Sequence, residues 1–167
     1  MPAAPDSSDS ARFDGAALYA ALDAERQRRG WSWRQVASEV GVSAPTLRRT
    51  QQGGGMETDG ILCMTRWLGR PPEAFSQTNH HLAGTEMLLA SGVAGVVRLD
   101  TRALHRAVDE LRRSQALSWQ ALATELRATS SQLTRLSKGG RIGIRLLLTV
   151  LAWLGRSAES FAHITDR

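Results

Sequence analysis

The chain has 167 residues, ordinary apolar (42%) and charged (22%) content, and a formal charge of +5. That length admits one medium domain or two small ones in the usual range of about 50–200 residues. The lone cysteine, Cys63, excludes an intrachain disulfide, and the longest apolar run, Leu146–Leu154, falls well short of the ~20 residues needed to cross a bilayer.

The segment Met1–Ser10 is rich in Pro, Asp and Ser and has no apolar core, so it reads as a disordered tail (1–11) and not as a signal peptide. The expectation is a soluble cytoplasmic protein with no membrane partner. Charge is uneven along the chain. Residues 1–84 hold nine arginines against nine acidic residues, whereas residues 85–167 hold twelve basic against seven acidic, the whole of the +5. A basic balance suits a polyanionic partner.

Helix signals begin at Asp14. Ala17, Leu18, Ala21 and Leu22 share one face, and the basic run Arg26-Gln27-Arg28-Arg29 before Gly30 marks a stop. Ser32, with Gln35 three residues on, is a capping box for a short second helix carrying Trp33, Val36, Ala37 and Val40 inward. Gly41 breaks it, Ser43 caps a third helix over Ala44–Gln52, and Pro45 sits where the first turn tolerates it. After Gly53-Gly54-Gly55 a fourth helix runs from about Thr58 to Leu68 and stops at Gly69. Pro71-Pro72 then opens a last short helical turn that buries Phe75.

The same pattern returns. Residues 13–76 laid on 99–162, an ungapped offset of 86, are identical at about a third of the positions. Ser32-Trp33 falls on Ser118-Trp119, and Trp67-Leu68-Gly69-Arg70 on Trp153-Leu154-Gly155-Arg156. Asp14/Asp100, Ala37/Ala123, Leu47/Leu133, Arg49/Arg135 and Phe75/Phe161 also match. The second copy predicts helices near 100–113, 119–126, 130–137 and 144–154 and a turn ending at Phe161. The organisation expected is a tail (1–11), domain 1 (12–76), a connection (77–98) and domain 2 (99–167), with no strand in either domain. The apolar part of the connection, Met87–Val97, is free to pack a domain, join the two or make a dimer contact. Trp33, Trp67, Trp119 and Trp153 read as core anchors, and Trp31, unmatched in the second copy, as partly exposed.

The run Ser32-Trp33-Arg34-Gln35-Val36-Ala37-Ser38-Glu39-Val40-Gly41-Val42-Ser43 resembles the second helix and turn of the Cro/C1-type (XRE family) helix-turn-helix proteins. The resemblance implies an all-α chain of two tandem five-helix lambda-repressor-like domains. It places Ala37 where the helices cross, Gly41 in the left-handed turn, and Val42 and Leu47 in the core. It also implies a sequence-specific DNA-binding regulator, a repressor of bacterial or phage origin, reading the major groove of double-stranded DNA with the third helix of each repeat. By position the base-facing candidates are Ala44, Pro45, Thr46, Arg48 and Arg49 in repeat one and Ser130, Ser131, Gln132, Thr134 and Arg135 in repeat two. Arg34, Lys138 and Arg141 are the phosphate candidates. Gln132 can read adenine and an arginine guanine.

Two departures stand out. Trp33 and Trp119 occupy the place where the family usually has a phosphate-binding Gln, and Arg127 replaces the turn glycine in repeat two, so it must take a positive φ or reshape the turn. The pair of copies is either a pseudo-dimer on one chain, reading two unlike half-sites, or half of a homodimer, which family habit favours. The rival reading is a protein-interaction module or antitoxin-like regulator in which one or both units bind a protein partner. No nucleophile–base–acid set or phosphate loop suggests an enzyme, and His80-His81 lacks companion ligands, so no metal or cofactor is expected, and the sequence names no effector.

Overall fold

The computed structural model of the chain describes residues 12–53, 56–77 and 95–165. The tail 1–11, Gly54-Gly55, His80-His81 and most of the connection, including Met87–Ala94, lie outside the described residues.

The described chain is mostly helical. Helices α1 (Gly15–Arg29), α2 (Trp33–Val40), α3 (Ala44–Gln51) and α4 (Thr58–Leu68) are followed by a 3-10 turn, Pro72–Phe75. The order repeats as α5 (Thr101–Ser114), α6 (Trp119–Glu125), α7 (Ser130–Ser137), α8 (Ile144–Leu154) and a 3-10 turn, Ala158–Phe161. The fifth helix expected in each half is therefore a single 3-10 turn, the usual form for so short a piece.

Local chemistry sets the ends, and it does so twice. The Asp14 carboxylate caps α1 by accepting from Ala17 N–H at 2.9 Å, and Asp100 caps α5 through Ala103 N–H at 2.8 Å. Left-handed residues close corresponding corners: Gly30 and Ala116, Gly41 and Arg127, Gly53 and Gly139, Gly69 and Gly155. Where glycine is missing, Ala116 (φ 53°) and Arg127 (φ 49°) still adopt the conformation that their counterparts adopt freely.

One expectation is corrected. A two-stranded antiparallel sheet is present, β1 (Val96–Leu99) pairing with β2 (Ala162–Thr165). The chain leaving the second 3-10 turn lies alongside the chain entering α5, and Val97 is buried between them and α4. The first half makes the same junction in miniature. Phe13 bridges Ser76, the counterparts of Leu99 and Ala162, and Asp14 N–H donates to Phe75 O at 2.7 Å, as Asp100 N–H does to Phe161 O.

Buried side chains from both halves form one core: Leu18, Leu22, Val36, Leu47, Ile61 and Met64 with Leu104, Leu122, Leu133, Leu147 and Leu151. The tryptophans expected to anchor it do not. Trp33, Trp67, Trp119 and Trp153 are only half-buried, as is Trp31, and all pack on the outside of the core. Trp33 stacks on Tyr19 (4.9 Å) with Arg26 over its face (5.1 Å), and Trp119 stacks on His105 (5.1 Å) with Arg112 at 4.6 Å. Each arginine is held by an aspartate three residues earlier and donates onward to the loop carbonyl of Trp31 or Leu117. An indole at the first position of a helix lies beside the neighbouring helix, where a cation and a ring suit it better than a core already filled by leucines.

Candidate nucleic-acid interface

The helix pairs α2–α3 and α6–α7 are joined alike. Val42 N–H donates to Ala37 O at 3.1 Å, and Ala128 N–H to Ala123 O at 2.9 Å, so Arg127 leaves the turn in the shape that Gly41 gives it. Ala37 and Ala123 are buried at the crossings, Leu47 and Leu133 are buried beneath the third helices, and Val42 and Ala128 are half-buried in the turns. Ser43 caps α3 through Thr46 N–H, and Thr129 caps α7 with a reciprocal box to Gln132.

On these frames Arg34, Pro45, Arg48, Arg49, Ser130, Ser131, Gln132, Thr134, Arg135, Lys138 and Arg141 are all exposed. Ala44 and Thr46 are only half-buried, and Ala44 packs partly onto the core. Several candidates have prior commitments. The Thr46 hydroxyl lies 2.7 Å from the Ser43 hydroxyl, and Thr134 Oγ1 donates back to Ser130 O at 2.9 Å. Gln132 Oε1 accepts from Thr129 N–H at 2.8 Å, so its amide has only the NH₂ end to offer unless the box opens.

Arg135 lays its aliphatic stem against Gly140, where a Cβ would come within 2.5 Å of its Cγ. Arg141 pairs with Glu57 of the first half at 3.0 Å, but both partners are exposed. A surface pair of this kind is worth about 0–1 kcal/mol and yields easily to a phosphate. Arg49 has no ion-pair partner among the described residues. One basic residue escaped the sequence reading. Arg102 in the first turn of α5 lies over Gly139, beside the loop that follows α7. Its counterpart in the first half is Ala16, so the repeat gave no signal for it.

The loops that follow α3 and α7 meet. Glu57 and Gly143, which correspond across the repeat, form an antiparallel bridge; Thr58 N–H donates to Ile142 O and Ile144 N–H to Met56 O, both at 3.3 Å. Reciprocal bonds between corresponding residues are the signature of a local twofold contact. The Thr58 hydroxyl adds a third bond to Ile142 O at 2.8 Å, buried on both sides. Asp59 extends the joint by pairing with Arg98 (2.9 Å) and accepting from Leu99 N–H (3.1 Å). At the far end Glu73 Oε1 accepts from Ala158 N–H at 2.7 Å, its Oε2 has no partner among the described residues, and burial pushes its carboxyl above the usual range. The mirror-image bond cannot form, because the counterpart of Ala158 is Pro72, which has no N–H.

Among the described residues no helix is long and apolar enough to cross a membrane. Set against protein-family models, curated proteins and solved structures, the chain finds no match.

Proposed function

We propose that the chain is a sequence-specific DNA-binding regulator, a repressor, built of two tandem helix-turn-helix domains whose third helices, α3 and α7, enter the major groove. The observation that carries this reading is the doubled unit of two short helices around a left-handed residue. Both copies have a buried alanine at the crossing and an exposed face holding Arg49 or Arg135. A helix exposed along one side and braced from behind is what groove entry needs.

The bridge between Glu57 and Gly143 favours one chain acting as a pseudo-dimer over the homodimer that family habit suggested. The target is then two unlike half-sites centred about 34 Å apart. Affinity leans on the second half, which carries the net charge and adds Lys138 and Arg102, while the first half offers the exposed Arg34, Arg48 and Arg49.

The test is retention of genomic duplex fragments by the full chain over a salt titration. Specific binding should persist at moderate salt, and Arg49→Ala and Arg135→Ala should each cost about 1–3 kcal/mol on the selected site. If no fragment is held above the non-specific level even at low salt, the DNA reading is wrong. If only one substitution matters, only one half reads bases.

A further inference from the structure

The two halves differ at one place inside the joint. In α8, Leu146 is buried; its counterpart in α4 is Gly60. A Cβ built on Gly60 meets only Thr46 Cγ2, at 3.7 Å, so there is open space above it. That space is part of a hollow of about 430 Å3 between the α2–α3 turn, α3, α4, β1 and Arg141 of the second half. The volume falls within the range of about 300–1,000 Å3 found for small-molecule sites.

Its chemistry is specific. Half-buried Val42 and Val96 give it an apolar floor, backed by the buried Ile61, Cys63 and Met64. The rim carries three arginines and two carboxylates, but Arg98 is paired with Asp59 and Arg141 with Glu57. Arg49 is the rim arginine with no ion-pair partner among the described residues. One guanidinium over an apolar bed is complementary to one anionic head on an apolar body, and Arg meets a carboxylate in a two-pronged fit.

We propose that this hollow binds a small monocarboxylate with an apolar body, its carboxylate on Arg49 and its chain on the floor beside Gly60. The occupant would touch α3 through Thr46 and Arg49 and the joint through Arg141. It therefore takes Arg49 away from any phosphate or base. This consequence rests on the DNA reading above; the binding itself does not.

Octanoate is the probe, with octanol and inorganic phosphate as controls, titrated into the full chain without DNA. Amide shifts by NMR report the site, and protection of Cys63 from a thiol reagent gives a second readout free of background, because the chain has no other cysteine. Burial raises the Cys63 thiol above its usual range, so the free protein reacts slowly and octanoate should slow it further. Octanoate should saturate, with shifts centred on Val42, Ile61 and Val96. Gly60→Leu should weaken it about tenfold or more, and Arg49→Gln should weaken octanoate about fivefold while leaving octanol unchanged. Should Gly60→Leu fail to fold, as judged by its melting curve, Arg49→Gln decides. Absence of saturation below about 5 mM overturns the proposal. So does wild-type affinity in a folded Gly60→Leu chain, or equal response of octanoate and octanol to Arg49→Gln. Octanoate binding without DNA binding sinks only the regulator reading, and DNA binding without octanoate binding sinks only this one.

Discussion

Removing the hydroxyl of Thr58 tests the joint between the halves at its most buried point. In Thr58→Val the bond from Oγ1 to Ile142 O, 2.8 Å long, is lost. A buried neutral hydrogen bond contributes about 0.5–1.5 kcal/mol net. The acceptor is not orphaned, since Thr58 N–H still reaches Ile142 O at 3.3 Å, so no separate desolvation cost arises. A methyl in the hydroxyl's place would, however, sit nearer the carbonyl than the ~3.3 Å at which carbon and oxygen touch, and must turn or push away. The total expected loss is about 1–2 kcal/mol, or a melting point lower by about 2–8 °C for a chain of this size. Thr58→Ser keeps the bond and should lose much less. Urea unfolding followed by tryptophan fluorescence and circular dichroism measures both. A valine variant as stable as wild type, or a serine variant as damaged as the valine one, would refute the reasoning. If the DNA reading holds, the valine variant should also lose part of its preference for two correctly spaced half-sites over one.

Ala116→Gly relieves a left-handed alanine whose hydrogen bonds, like those at Gly30, run back to the end of its helix. Strain of about 1–2 kcal/mol is removed and about 0.4–1 kcal/mol lost to the freer unfolded chain, so a gain of about 0.5–1 kcal/mol is expected in urea unfolding; Gly30→Ala should show the opposite sign. Glu73→Gln tests the buried carboxylate. Its folded pKa is raised above 4.5, so the folded state holds the proton longer and wild-type stability falls as pH rises from 4.5 through that value. The glutamine variant should lack this slope and be the more stable at pH 7; a less stable variant there refutes the assignment. Glu25 behaves oppositely. Arg28 and Arg29 hold its carboxyl at about 2, so its contribution is present above 4.5 and fades as pH falls from 4.5 towards 2, a window separate from that of Glu73. Melting curves of Glu25→Gln against pH should show that acid slope missing.

The helices were legible because their ends are local matters. Asp14, Ser32 and Ser43 each cap a backbone N–H three residues away, and Gly30, Gly41 and Gly69 close corners within a few residues of their partners. The strand Val96–Leu99 was not legible, because it is fixed by a partner more than sixty residues on and straddles the end of what read as a connection. The tryptophans misled for a related reason. A face pattern marks which side of a helix turns inward but not whether a ring sits at the centre or the edge, and the nearby Arg26 and Arg112 draw Trp33 and Trp119 to the edge. At the candidate interface, Arg49 and Arg135 were legible from their place in the resembled motif and from their match across the repeat, whereas the tie between Arg141 and Glu57 depends on how two distant loops meet. Arg127 shows the limit of a residue rule: the turn closes around it anyway.

The bridge of Glu57 to Gly143 joins equivalent places that are no longer the same residue. In a pair of identical chains every substitution is echoed across the axis, and the pair cannot tell left from right. Here the two sides are written separately, so Glu57 can hold Arg141, and Gly60 can open a hollow, with nothing forced on the other side. Such a molecule has a front and a back. Placed on a double helix it would have a heading, and whatever it recruits or blocks would lie to one side only.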